Sequence, residues 1–164
     1  MVLDGRVQLL APVGAELMSI RHVRPLQPFA PEVLAFLGEL SEVLCADPRT
    51  RTFPDLYSFG FWCRLTSLEA MRRGYPEIER RLGRGVVFHI APANVPVNFA
   101  YSLAAGLLAG NGNIIRVPSA DFVQVSIIAE AIDALLSASA HNALRDHIRL
   151  VRYDRDEQDI TASF

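Results

Sequence analysis

Apolar positions along the chain change period at Gly85, and the change divides the sequence. From Pro31 to Leu44 the residues Val33, Leu34, Phe36, Leu37, Leu40, Val43 and Leu44 recur at helical spacing, with Pro31 suited to a first helical turn where its missing N–H leaves no bond unmade. Pro48 and Pro54 bracket a polar connection. Leu56 to Met71 then carries Phe59, Trp62, Cys63, Leu65 and Leu68 at the same period, which predicts one continuous helix. Gly74-Tyr75-Pro76 closes it, and a short arginine-rich helix is expected from Pro76 to Leu82. Ahead of these helices, Met1 to Gly14 alternate weakly around Val7, Leu9 and Ala11 before Pro12 and Gly14, the pattern of a short strand or ribbon.

Beyond Gly85 the pattern is that of strands alternating with helices. Val86 to Ile90 is a continuous apolar run of the kind a buried parallel strand shows, and Asn113 to Val117 is a second. Between them Pro96 is expected to open an apolar helix that Gly110 closes in a left-handed cap. Ser119 is the expected N-cap of a third helix whose face is marked by Val125, Ile128, Ile132 and Leu135, with Asp121 near its positive end. His147 to Val151 reads as a third strand. The order predicts an α/β fold: a ribbon and helices over residues 1–83, then βαβαβ, half of a dinucleotide-binding sheet, over residues 84–164.

Composition narrows the function classes. Of 164 residues 51% are apolar, and with ten glycines added the chain exceeds the roughly 45–50% of a typical soluble domain, so apolar faces covered by a partner or a further chain segment are expected. A net charge of −2 leaves no basic excess for nucleic acid. The 16 basic residues are all arginine, which excludes a P-loop and lysine-based catalysis. Arg72, Arg73, Arg80, Arg81 and Arg84 are interleaved with Glu69, Glu77 and Glu79 and read as a solvated face. No transmembrane segment is expected, since the longest apolar helix, Pro96 to Ala109, falls short of the roughly 20 residues a bilayer needs. Asp4 and Gln8 break up any secretory signal at the start. Cys45 and Cys63 form no metal-ligand or C-x-x-C pattern, which fits a reduced, cytoplasmic setting, and their place in amphipathic helices marks them as structural thiols.

The candidate chemistry lies in the turn after the first strand. Open α/β sheets bind ligands beyond the carboxyl ends of their strands, and that position is held by Ala91-Pro92-Ala93-Asn94-Val95-Pro96. No G-x-G-x-x-G is present there. Two prolines frame Asn94 instead, and an amide held by that frame suits the stabilisation of a developing oxyanion, an effect of roughly 3–4 kcal/mol. Asparagine in a turn also serves local hydrogen bonding. His89 at the strand end could poise a substrate or cofactor group, but satisfaction by neighbouring backbone is the favoured expectation; Tyr101 and Ser102 are expected to serve packing, and His141 and His147 to be surface or cap residues.

The run GVVFHIAPANVPVNFAYSLAAGLLAGNGNIIRVPS, Gly85 to Ser119, resembles the aldehyde dehydrogenase superfamily, in which a strand ends in P-x-N-x-P before an apolar helix, an A-G-N turn and a strand. Within it the run is most similar to the LuxC family of acyl-CoA reductases. That resemblance implies an N-terminal helical segment followed by the first half of an aldehyde-dehydrogenase-type Rossmann-like domain. It implies reduction of a fatty acyl thioester, acyl-CoA or acyl-protein, to an aldehyde through an acyl-cysteine intermediate, with NADPH or NADH as cofactor. Carried over by position, Asn94 matches the oxyanion asparagine, and Ala91, Pro92 and Ala93 match the turn backbone beside the nicotinamide ribose. Arg116 matches a lysine that reaches the adenosine ribose, with Pro118 and Ser119 in the following turn. Val117 separates the basic residue from the proline, which the superfamily places side by side, and Ala120 offers no charge, so whether Arg116 or Ser119 faces the cofactor is open. The family's nucleophilic cysteine and second sheet half lie beyond Phe164, so this chain alone is expected to be inactive, with a homo-oligomer or that C-terminal half as partner. A non-catalytic half-domain acting as a subunit or interaction module is the alternative, and another superfamily branch acting on a free or phosphorylated aldehyde is a third.

Overall fold

Alternating strand and helix patterns after Gly85 build three strands of a four-stranded sheet in a computed structural model, which describes residues 5–154 and 156–164. The first four residues of the expected N-terminal ribbon lie outside the described residues. Strand order is β1 (Gln8–Ala11), β4 (Ile148–Arg152), β3 (Gly112–Arg116), β2 (Val86–Ile90). The last three run parallel, whereas β1 pairs antiparallel with β4 and so turns the ribbon into an edge strand. Helices α1 (Pro31–Ala46), α2 (Pro54–Trp62), α3 (Leu65–Gly74), α4 (Asn98–Leu108) and α5 (Val123–Ser137) fill the spaces between, and the short α6 (Gln158–Ser163) follows β4.

The pleat sends alternate residues to two apolar clusters. Ile115, Ile148 and Leu150 face α1, α4 and α5 in the main core, which also takes in Phe36, Leu37, Leu40, Phe59 and Leu68 from before residue 84. Ile114, Val151 and Phe88 face the other way, against Ile20 of the 3-10 turn Leu17–His22 and Ile160 of α6. Among the described residues no single helix is long and apolar enough to cross a membrane.

Several expectations are corrected by tertiary contacts. The predicted helix from Leu56 to Met71 is broken at Cys63-Arg64, where Arg64 turns extended, donates from Nε to the Phe61 carbonyl (3.0 Å) and stacks its guanidinium 3.2 Å from the centre of the Phe61 ring. The helix expected from Pro76 to Leu82 is only a 3-10 turn, Ile78–Arg80, because Glu77 adopts a left-handed φ of 55° that a helix cannot continue through. Val43, although on the apolar pattern of α1, is exposed. Pro96 lies in the turn ahead of α4 rather than in its first residues, and Ser119 does not cap α5, whose N-cap is Phe122. Strand β2 has the expected bounds and parallel pairing, yet among the described residues it is an edge strand with one neighbour, leaving Val86 39% and Ile90 56% exposed.

Close approach of α4 to the sheet depends on Gly106. A Cβ there would lie 1.9 Å from Oδ1 of Asn113, a buried side chain whose Nδ2 donates to the Asn111 carbonyl (2.7 Å) and whose Oδ1 sits 3.0 Å from Nε2 of His89. At the helix end Gly110 takes the expected left-handed cap, with φ of 82°. Its carbonyl accepts from Leu26 N–H (2.9 Å), and the Leu108 carbonyl accepts from Phe29 N–H (2.8 Å), which ties the segment before α1 to the end of α4.

Gly106→Ala should therefore cost about 2–4 kcal/mol of unfolding free energy in urea titration, combining overpacking with the loss of hydrogen bonds around Asn113. A loss below about 0.5 kcal/mol would show that α4 has room to move away.

Candidate functional site

Parallel pairing of β2 with β3 sets Ile90 opposite Arg116, so both strands deliver their following loops at one level. Between those loops lies a pocket of about 430 Å³ lined by Ile90, Ala91, Pro92, Ala93 and Asn94 on one wall and Arg116, Val117, Pro118 and Ser119 on the other. Every residue singled out from the sequence as catalytic or cofactor-binding lines this one pocket. The walls are stitched together at the base, where Ala91 N–H donates to the Arg116 carbonyl (3.5 Å) and Val117 N–H to the Val151 carbonyl of β4 (3.0 Å).

On the first wall the two prolines restrict the backbone of the turn. The side chain they frame is less fixed than expected: Asn94 is exposed, and among the described residues no hydrogen bond holds its amide. Its Nδ2 donors are thus open to a bound carbonyl. The backbone N–H groups of Ala93 and Asn94 likewise find no acceptor among the described residues, so the turn offers further donors to a ligand's oxygens.

The second wall carries the charge. Arg116 makes no ion pair among the described residues; its guanidinium lies 4.7 Å from the ring centre of Tyr153, and its Nε is buried without an acceptor. Ser119 is exposed and its hydroxyl donates to the Tyr153 carbonyl (3.4 Å) rather than to α5. An unpaired guanidinium and free turn amides suit phosphate or carboxylate oxygens, the chemistry of a nucleotide's anionic groups.

Other chemically active side chains lie elsewhere. His89 faces α4, and its partner is the side chain of Asn113 instead of the expected backbone. His141 and His147, expected as surface or cap residues, are both buried, with His147 in the last turn of the 3-10 helix Ser139–His147. His141 lies 2.9 Å from Glu39 Oε2 and edge-on to Phe36, and His147 sits 3.1 Å from the carbonyls of Ala143 and Arg24. Tyr101 packs edge-on against Phe59 and Trp62, and Ser102 bonds back to the Asn98 carbonyl, as packing residues should. Arg72, Arg73, Arg80, Arg81 and Arg84 are all exposed, in keeping with a solvated face.

Neither cysteine lines the pocket. Cys63 is buried and its thiol is pushed up to about 12 by burial and then by the neighbouring Cys45, which leaves no thiolate for chemistry near neutrality. Cys45 is partly exposed on a separate groove of about 610 Å³ that also includes Gly38, Glu39, Arg64 and Leu65.

Two residues escaped the sequence reading. Arg149, within the third strand, is fully buried; it donates to the carbonyls of Glu16, Arg145 and Ile148 and to Ser19 Oγ and Asp146 Oδ1 over 2.6–3.1 Å. Burial pushes its guanidinium below arginine's ordinary range and Asp146 pulls it back, but so strong a base stays charged. Tyr153 escaped because it belongs to no motif, although its place directly after the third parallel strand puts it at the ligand end of the sheet.

The family model for Acyl-CoA reductase (LuxC) matches residues 64–164, more than half of the chain. No curated protein and no solved structure matches it.

With one thiol partly exposed and the other buried, a disulfide exchange reagent at neutral pH should label Cys45 in the folded protein and leave Cys63 unlabelled until denaturant is added, as read by peptide mass mapping. Labelling of Cys63 at the rate of Cys45 under native conditions would contradict its burial.

Proposed function

Because the chain belongs to the LuxC family of acyl-CoA reductases, we propose that it supplies the oxyanion and cofactor side of a site that reduces a fatty acyl thioester to an aldehyde. The observation that supports this most directly is the convergence of Asn94 and Arg116, from two different loops, on one pocket beyond the carboxyl ends of β2 and β3. In this reading Asn94 Nδ2 donates to the thioester carbonyl oxygen as negative charge gathers there. A donor with no internal partner pays no bond to do so.

A nicotinamide dinucleotide, NADPH or NADH, fits the residues present: an unpaired cation whose Nε is orphaned in the wall, and a turn with unpaired N–H groups. Ala91, Pro92 and Ala93 would hold its nicotinamide-ribose side, and Arg116, Pro118 and Ser119 its adenosine side. When bound, the cofactor supplies the hydride that converts the acyl carbonyl to an aldehyde. The chain's own part is to bind and orient both reactants and to stabilise the carbonyl oxygen. The acyl-cysteine step is not assigned to Cys63, which is buried and protonated, or to Cys45, which opens onto a different groove. The reading assigns that nucleophile to a residue outside residues 1–164, and by the same reasoning residues 1–164 alone complete no turnover.

In the enzyme produced from its full reading frame, Asn94→Ala should lower kcat for acyl-CoA reduction about 100-fold or more while the KM for the thioester changes less than about threefold. An unchanged kcat would remove Asn94 from the oxyanion role.

A further inference from the structure

Resting on the cofactor reading above, we propose that Tyr153 is a positioning residue whose ring holds the Arg116 guanidinium at the pocket wall, so that an anionic group of the dinucleotide meets a cation already in place. Tyr153 itself is buried and does not line the pocket, so any effect it has on a ligand passes through a neighbour.

Three observations carry the assignment. The Arg116 guanidinium lies 4.7 Å from the Tyr153 ring centre, within the range of a cation–π contact, and no carboxylate among the described residues pairs with it. Asp121, the carboxylate on the loop that follows Arg116, has its ion-pair contact with Arg152, at 3.9 Å. That distinction matters chemically. A carboxylate would fix the guanidinium but compete with the ligand for its donors, whereas an aromatic face attracts the cation and leaves the donor edges free.

The ring is in turn held in place from several sides. Its hydroxyl is 2.9 Å from Thr161 Oγ1 of α6; because Thr161 donates its own proton to the Glu157 carbonyl (3.3 Å), Tyr153 is the donor in this pair. The Phe164 ring lies 6.3 Å away, and the Tyr153 carbonyl accepts from Ser119 Oγ at 3.4 Å. One residue therefore anchors both candidate cofactor-facing side chains of the second wall, with Ser119 tied to its backbone and Arg116 presented by its ring. The arginine is left as the group that meets the anion.

The test uses the full-length enzyme and isothermal titration with NADPH and with NADH. Tyr153→Phe keeps the ring and should bind the tighter of the two within about twofold of wild type, whereas Tyr153→Leu should weaken it about tenfold. In an Arg116→Met background, Tyr153→Leu should add less than about twofold, because the two side chains act as one unit. In turnover, Tyr153→Leu should raise the cofactor KM and leave the thioester KM unchanged. Wild-type affinity in Tyr153→Leu, or an equal loss with and without Arg116, overturns the proposal. A measurement on the wild type stands even where Tyr153→Leu does not fold: the Arg116 Nε–H proton, assigned by its disappearance in Arg116→Lys, should resonate upfield of the other arginine Nε–H protons. A position among them overturns the proposal. Failure of the wild type to bind either dinucleotide overturns the cofactor reading itself, and is separated by that control from a failure confined to Tyr153.

Discussion

Contact between α4 and the β2–β3 pair at Gly106 governs how the rest of the sheet end is arranged. The helix emerges directly from the turn that carries Asn94, so its height above the sheet sets where that turn ends. Hydrogen at position 106 lets the helix backbone come down onto Asn113, and the buried amide of Asn113 joins β3 to His89 of β2 and to the carbonyl of Asn111, just ahead of its own strand. A larger residue would lift α4, separate the polar contacts beneath it and shift the first wall of the pocket. A buried polar bridge of this kind tolerates little displacement, because each group released from it is left without water.

Charge is distributed along the sheet in a way that follows from the same geometry. At the amino end of β4 the guanidinium of Arg149 is surrounded by acceptors from the 3-10 turn Leu17–His22, from the residue preceding that turn, and from the 3-10 helix Ser139–His147 before the strand, and it locks the N-terminal segment to the parallel part of the sheet. At the carboxyl end Arg116 has an aromatic face and no acceptor for Nε. The two arginines are on neighbouring parallel strands, yet one is satisfied internally and the other is not. That difference separates a structural cation from one available to a ligand.

Local periodicity carried the fold a long way. Helix α1, strand β2 and the cap at Gly110 are legible because each is decided within a few residues by spacing or by a glycine. What it could not carry are decisions made across the chain. The interruption at Cys63-Arg64 comes from a guanidinium stacking back on Phe61, and an apolar run such as Val86–Ile90 does not disclose whether it will have one neighbour or two. The pocket was readable because strand ends in a parallel sheet place their loops together whatever the residues, so the P-x-N-x-P turn and the R-V-P-S turn had to meet. Tyr153 was not readable, since its part depends on the ring of one strand's following residue reaching the guanidinium of the next strand. Arg149 was hidden by its charge, because an arginine in an apolar strand reads as an exposed position until its acceptors are known.

The position of β2 at the edge of the described sheet leaves the two walls of the pocket differently supported. Strand β3 is laced to a neighbour on each side, and the loop it feeds is fixed at both flanks. Among the described residues strand β2 is laced on one side only, so a row of its N–H and C=O groups is open to a further strand. One wall of the pocket, which presents the cation, is thus braced within residues 5–164, and the other, which presents the Asn94 amide, has a strand that can still gain a neighbour. A strand added there would brace the Asn94 turn as β4 braces the turn after β3.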